Sequence, residues 1–281
     1  MDIEVSCKLL YTIPTETGFI FQIEAAKADN QIVKTESLVL PATHLGATYD
    51  VYVDPLTLTR KVRAMLGPGD VEVTYQAIVD VDTTAYDPTA VQEFDFSRLP
   101  LENIEYVAPS RFCASDAFAA FAHETFSALP RGHTRVTAIC DWIFNNIQYQ
   151  SGSTNAGTTA SDVFKARKGV CRDFAHLGIS LCRALGIPAR YASVYADALN
   201  PQDFHAIFQA HLLGPRGGEW FSFDPTRMSS VDSVVRIAAG RDAADVAFAW
   251  PQGEVECQAP IIAVRAPDRA DTNRTPLAVS S

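Results

Sequence analysis

The sequence predicts an α+β protein: an antiparallel β-sandwich at the N-terminus, then a second domain in which a helix packs on an antiparallel sheet. Two observations carry this. Residues 1–83 form a succession of short segments rich in Val, Ile, Thr and aromatics, several alternating apolar with polar, most separated by Gly, Pro, Asp or Asn. That is the pattern of half-buried antiparallel strands. Beyond residue 110 the apolar period lengthens to that of helices and later returns to that of strands.

In the N-terminal β domain, 1–83, the strand segments are IEVSCKLL, GFIFQIEA, QIVKTESLVL, LTLTRKVRA and DVEVTYQAIVDVD. The last is the clearest, because Val71, Val73, Tyr75 and Ala77 share one face. No catalytic cluster is visible in these strands. Residues 84–110 contain Pro88, Pro100 and Pro109 with weak periodicity, which predicts a linker.

The predicted catalytic domain spans 111–258. In SDAFAAFAHETFSALP, Ser115 reads as an N-cap, and Phe118, Phe121, Ala122 and Phe126 form a stripe that Pro130 ends. In HTRVTAICDWIFNNIQY, Val136, Ile139, Cys140, Ile143, Phe144 and Ile147 recur at helical spacing. Both stripes read as core. QSGSTNAGTTAS is a small-residue, accessible loop. KGVCRDFAHLGISLCRALGIPARY then opens at Gly169 and buries Phe174, Leu177, Gly178, Leu181 and Leu185. Gly186 caps its C-terminus and Pro188 stops it. ARYASVYA, FHAIFQAHLL and EWFSFD read as strands, the last two joined by the turn GPRGG. The tail, 259–281, has scattered charge and three prolines and is expected to be loosely held.

Composition narrows the function. The chain has 281 residues and a net charge of −10, and such an excess of negative charge repels phosphate backbones. Nucleic acid is therefore not an expected partner. No run of about 18 or more apolar residues is present, so no membrane span is expected. The start, MDIEVSCKLLYTIP, lacks the apolar region and cleavage site of a secretory signal, which points to the cytoplasm. The six cysteines have no CxxC spacing and read as free thiols in a reducing compartment. A metal site built from Cys171, His176, Cys182 and His205 would match no common ligand spacing. Neither a metal nor an organic cofactor is expected.

The chemistry concentrates on Cys171, His205 and Asp224. Cys171 falls in the first turn of the predicted helix, where unpaired N–H groups and the helix dipole favour a thiolate. Gly169 lets a substrate backbone approach. Taken alone, the cysteine reads more readily as a small packed hydrophobe, His205 as a structural histidine, and Asp224 as a turn residue or cap. Their pairing changes the reading. If GPRGG closes a hairpin, Leu212 or Leu213 lies opposite Glu219. One of those two registers sets Asp224 diagonally across from His205, close enough for a carboxylate to orient an imidazole. A thiol, a base and a carboxylate behind the base form a nucleophilic triad.

These segments, GVCRDFAHLGISLCRALGIPARY, DFHA and FDPTR, resemble the core motifs of the transglutaminase-like superfamily, with its papain-like catalytic arrangement. PSRFCASD, TTASDVF and VRIAAGRDAADVAF resemble flanking motifs of its bacterial cysteine-protease-like members with a β-rich N-terminal domain. The resemblance covers nearly the whole chain and implies Cys171 as nucleophile, His205 as general base and acid, and Asp224 as orienter. It departs at Gln209, where the family often carries an acid.

Other residues carry lesser expectations. Tyr149 and Gln148 are candidates for an oxyanion donor or cleft wall, and Asp173 for a helix-start or cleft residue. His176 is expected to be structural or at the surface, Arg241 and Asp242 to form an ion pair or cap, and Trp142 and Trp220 to sit in the core. The expected reaction is attack by Cys171 on an amide or peptide carbonyl, with hydrolysis of the acyl-enzyme. Transfer to an amine and a non-catalytic peptide-binding role are the alternatives. The segment before Cys171 has no aromatic residue, and the strand after His205 bears Gln209 and His211. Both predict an open, wet cleft, unless distant residues such as Trp142, Trp220 or Trp250 wall it.

Overall fold

A computed structural model describes residues 1–28, 30–41, 49–82, 84–267 and the backbone of 278–279. The N-terminal region supplies β1 (Asp2–Ile13), β2 (Thr17–Phe21), β3 (Gln31–Val39), β4 (Tyr49–Val53), β5 (Arg60–Leu66) and β6 (Gly69–Val81). Of these, only β4 has no counterpart among the predicted strands. The middle of the chain holds β7 (Ala85–Tyr86), α1 (Ala119–Phe126), α2 (His133–Asn146), β8 (Gln148–Tyr149), α3 (Ala160–Ala166), β9 (Lys168–Gly169) and α4 (Cys171–Ala184). There follow β10 (Ala189–Ala196), β11 (Phe204–Gly214), β12 (Gly217–Phe223), β13 (Val234–Gly240), β14 (Ala249–Pro251), β15 (Glu256–Cys257), β16 (Ile261–Arg265) and β17 (Ala278–Val279).

Two antiparallel sheets make the sandwich, one ordered β15-β1-β6-β3 with β16 also on β1, the other β14-β2-β5-β4. Alternation decides the inner faces. Ile3, Val5, Cys7, Leu9, Tyr11 and Ile13 of β1 are buried, as are Val71, Val73, Tyr75 and Ala77 of β6. The Tyr11 ring packs 5.1 Å from Phe19 of the opposing sheet.

The sandwich is discontinuous in sequence. β14, β15 and β16 return from the C-terminal part to pair with β2 and β1. The chain from 259 is therefore not all a loose tail: Ile261–Arg265 lies in register against Glu4–Lys8, where the edge of β1 needs backbone partners. Most of the rest of that tail lies outside the described residues. The segment 84–110 crosses between layers through 3-10 turns at Pro88–Ala90, Phe96–Arg98 and Leu101–Tyr106. It is tied down by Gln92, which bridges Leu213 on β11, and by Glu93, which pairs with Arg131 and Arg135.

The catalytic sheet, ordered β12-β11-β10-β13, is antiparallel throughout. α4 lies against it. A Cβ on Gly178 would stand 2.5 Å from the Phe208 ring, so glycine is what lets helix and strand approach. Gly186, at φ +77°, ends α4 as predicted. Two local expectations differ. Ser115 lies inside a 3-10 turn, Ser115–Phe118, instead of capping a helix. Phe144 is turned to the surface beneath the Arg227 guanidinium, one residue past the Ile143 position that faces the core.

Candidate active site

Three short backbone pairings bring the site together. β8 and β9 run parallel, with Tyr149 beside Gly169. The Gln150 N–H donates to the Gly169 carbonyl at 2.9 Å and the Gln148 N–H to the Arg167 carbonyl at 2.8 Å. The chain thus delivers Cys171 as the first residue of α4, with Tyr149 alongside.

Asp173, fully buried, fastens this corner. Its Oδ2 accepts from the Val170 N–H at 2.9 Å and from the Thr154 hydroxyl at 2.6 Å, and its Oδ1 accepts from Arg172. It is a positioning group at the helix start, not a cleft wall. The turn is so tight that a Cβ on Gly169 would lie 2.8 Å from the Asp173 Cβ.

The hairpin β11–β12 carries the other two residues. Leu212 stands opposite Glu219, which is the register that sets Asp224 diagonal to His205. The His205 Nε2–H donates to Asp224 Oδ2 at 2.9 Å, and both side chains are 2% exposed. Asp224 is itself held: its Oδ1 accepts from the Thr226 N–H at 2.9 Å and hydroxyl at 2.6 Å, and its Oδ2 from the Ser229 N–H at 3.1 Å. With Nε2 taken, Nδ1 is the ring nitrogen left to serve Cys171, which lines the same cavity as His205.

Burial works against a charged imidazole, but hydrogen bonds from Asp224 and Cys171 and their negative charge outweigh it and raise the His205 pKa to about 10. Burial would likewise push Asp224 up; His205 and Thr226 hold its carboxyl below the usual range. The Tyr149 side chain lies near Cys171, whose backbone and sulfur both bear on its hydroxyl. Burial first, then the charge of the sulfur, push its pKa up to about 12, so it stays a donor at neutral pH. Gln148 is exposed, and the structure gives it no contact with Cys171.

All six cysteines are free. Burial raises the thiols of Cys7 and Cys113 to about 12 and pushes those of Cys140 and Cys182 well up. Cys171 is half-buried and Cys257 exposed. Among the described residues no cluster of three or more metal-ligating side chains is present.

Cys171 and His205 open on a cavity of about 520 Å³ walled by Tyr191, Phe204, Ile237, Val246, Phe248 and Trp250. The expectation of a cleft without aromatic walls is thus corrected. Phe204 and Phe248 stack 5.0 Å apart. The wall comes from far in sequence: β14 pairs with β2, and the Gln22 N–H donates to the Phe248 carbonyl at 2.9 Å. The sandwich therefore holds one side of the cleft.

The segment 241–248 forms the rest of this wall. Arg241 pairs with Asp245 at 3.0 Å, while Asp242 accepts from the backbone N–H groups of Phe112 and Ala244, each at 2.9 Å. His176, fully buried, accepts from the Ala243 N–H at 3.1 Å through Nε2, and burial lowers its pKa to about 3. It is a structural acceptor in the core, which settles between the structural and surface positions expected of it. Trp142 packs with Phe121 and Phe164, and Trp220 with Tyr106. Sequence reasoning missed Phe204, Tyr191 and Phe248. Only Phe204, adjacent to His205, carried a local signal.

A thiol, an imidazole and a buried carboxylate in line, beside an apolar-walled cleft, are the equipment of a cysteine-based acyl-transfer centre. The family described as the transglutaminase-like superfamily matches residues 119–225. The crystal structure of a protein titled "putative cysteine protease" from Cytophaga hutchinsonii is 36% identical, with a TM-score of 0.87 over 100% of this chain and 96% of that one. Uncharacterized proteins of Mycobacterium leprae and Mycobacterium tuberculosis are 32% identical over 117 residues and 36% over 115. The matches span 40% and 37% of this chain, and 42% and 37% of those relatives. The chain belongs to the transglutaminase-like superfamily, a cysteine-based catalytic family. No helix among the described residues is long and apolar enough to cross a membrane.

The raised His205 pKa is a stability statement with a definite sign. A group raised from 6.5 to about 10 on folding stabilises fully below pH 6.5, and that contribution is lost as the pH rises through about 10. Its slope reaches at most about 1.4 kcal/mol per pH unit. Urea unfolding between these limits should show the wild type losing stability faster than His205→Gln. Parallel curves would contradict the paired imidazolium.

Proposed function

We propose that the protein hydrolyses amide or peptide bonds through an acyl-enzyme on Cys171. The observation that carries this is the His205–Asp224 bond at 2.9 Å, on a cavity that Cys171 and His205 line together. The His205 imidazolium pairs with the Cys171 thiolate, which attacks the carbonyl carbon. The oxyanion sits between the Cys171 N–H and the Tyr149 hydroxyl. As the tetrahedral adduct collapses, the C–N bond breaks and the amine leaves with the proton from His205. Water then gives a proton to His205 and attacks the thioester. The thiolate leaves and the imidazolium is restored. Asp224 holds the ring and balances its charge throughout.

Tyr149→Phe removes one oxyanion donor and leaves Cys171, His205 and the fold in place. Turnover of an acyl substrate should fall by about 10²-fold with little change in KM. A variant within about twofold of wild type in kcat would remove Tyr149 from the oxyanion site.

Amine transfer is the second reading, favoured by one observation, the aromatic wall of the cleft. Shielding a thioester from water is what a transferase must do. Hydrolysis remains the first reading because Phe248 and Trp250 are themselves each 37% exposed and line the cleft without covering it. A partition measurement on one acyl donor decides between them: acid release is followed by mass spectrometry with and without a millimolar primary amine. Acid as the main product supports hydrolysis, and a dominant amine adduct overturns it.

A peptide, protein or other amide is the proposed substrate, with no nucleic-acid or membrane partner. A cytoplasmic setting is the proposed location, supported by six free thiols, four of them buried.

A further inference from the structure

A second cavity, of about 400 Å³, lies where the sandwich meets the catalytic sheet, and it shares no lining residue with the Cys171 cleft. Leu56 and Leu58 line it from the sandwich side, and Arg190, Trp220 and Arg236 from the sheet.

Arg190 is the unusual member. It is 4% exposed. Its Nε donates to the neutral Gln209 Oε1 at 2.7 Å, and its guanidinium lies 4.0 Å over the Trp220 ring. Among the described residues no carboxylate forms an ion pair with it. The neighbouring positive charge of Arg236 opposes it further. The acids that line the cavity are already engaged: Glu219 pairs with Arg216 at 2.9 Å, and Asp82 lies 3.9 Å from the same guanidinium. Buried charges are ordinarily paired. Here a guanidinium is fixed in plane by stacking and by its Nε bond, its terminal nitrogens have no described carboxylate partner, and it lines the cavity. The lining is mixed: Leu56, Leu58 and Trp220 offer apolar surface beside the charged groups, a combination that suits a small anion with an apolar body, and the volume is in the usual range for such a site.

We propose that this cavity binds a small organic anion, whose carboxylate or phosphate group takes the terminal nitrogens of Arg190 while its body lies against Trp220 and Leu56. The ligand would bridge sandwich and sheet. Guanidinium geometry suits both head groups in bidentate fashion.

The test uses the full chain. Unfolding temperature is followed during titration with sodium benzoate and, separately, with sodium phosphate, each against sodium chloride at matched ionic strength. At least one anion should give a saturable rise of about 2–4 °C. Benzoate alone would mark a carboxylate with an apolar body as the ligand type, and phosphate alone a phosphoryl group. Two variants should each weaken the response by about tenfold or more: Arg190→Met removes the fork, and Gln209→Glu places a competing carboxylate against it. Gln209→Glu keeps Arg190, adds an ion pair, and decides the matter even if Arg190→Met does not fold. A wild-type response that follows ionic strength alone overturns the proposal. So does an anion effect of equal size in wild type and Gln209→Glu.

Discussion

Burying an imidazole disfavours its charged form, and at His205 that penalty is overcome by a carboxylate on one side and a thiol on the other. Asp224 is equally buried and keeps its charge only because His205, Thr226 and Ser229 surround it with donors. Neither group is stable there alone, since breaking a buried pair leaves an uncompensated charge costing about 3–5 kcal/mol. The hairpin register, the α4 start and the turn at Asp224 all serve to hold these partners in line. The Asp173 clamp does the same for the thiol end, fixing the Val170 N–H so that Cys171 begins the helix at a single place.

The sandwich belongs to this arrangement. Tyr195 of the catalytic sheet stacks on Tyr75 of β6, and its hydroxyl donates to the Ile23 carbonyl at 2.6 Å. Gln31 acts as a piece of strand: its amide exchanges hydrogen bonds with the backbone of Arg236, each at 2.9 Å. Behind it Arg60 is buried between Glu24 and Glu36. These contacts set the sandwich at a fixed distance from the sheet. The pairing of β14 with β2 then carries that position to Phe248 and Trp250 at the cleft. The cleft wall and the packing of sandwich on sheet thus rest on one set of contacts.

Much of this was legible in the residues. The α4 helix could be read from its apolar stripe and Gly186 because those signals are local. The triad could be read because His205 and Asp224 lie on one hairpin, where two registers exhaust the choices and Leu212 opposite Glu219 settles it. Of the aromatic wall only Trp250 was named, and only as one of three tryptophans that could reach the cleft. Trp250 pairs with Ile20 across most of the chain, and no local pattern encodes a partner that distant. The same reason hides β16 on β1. Its alternating pattern over Ile261–Arg265 is only five residues long and sits among prolines, so propensity there reads as tail. Gln209 could be seen as a departure from the family pattern, but its partner Arg190 emerges only from the strand pairing.

The central claim is that the His205–Asp224 pair makes Cys171 the reactive thiol of this chain. Competing alkylation measures it most directly, with Cys257 as the exposed internal reference. Limiting iodoacetamide at pH 6, followed by peptide mapping, should modify Cys171 well ahead of Cys257 in the wild type, although Cys257 is the more accessible. In His205→Ala that order should reverse. Labelling that follows exposure alone in the wild type, with Cys257 ahead and no effect of the histidine, would contradict the account.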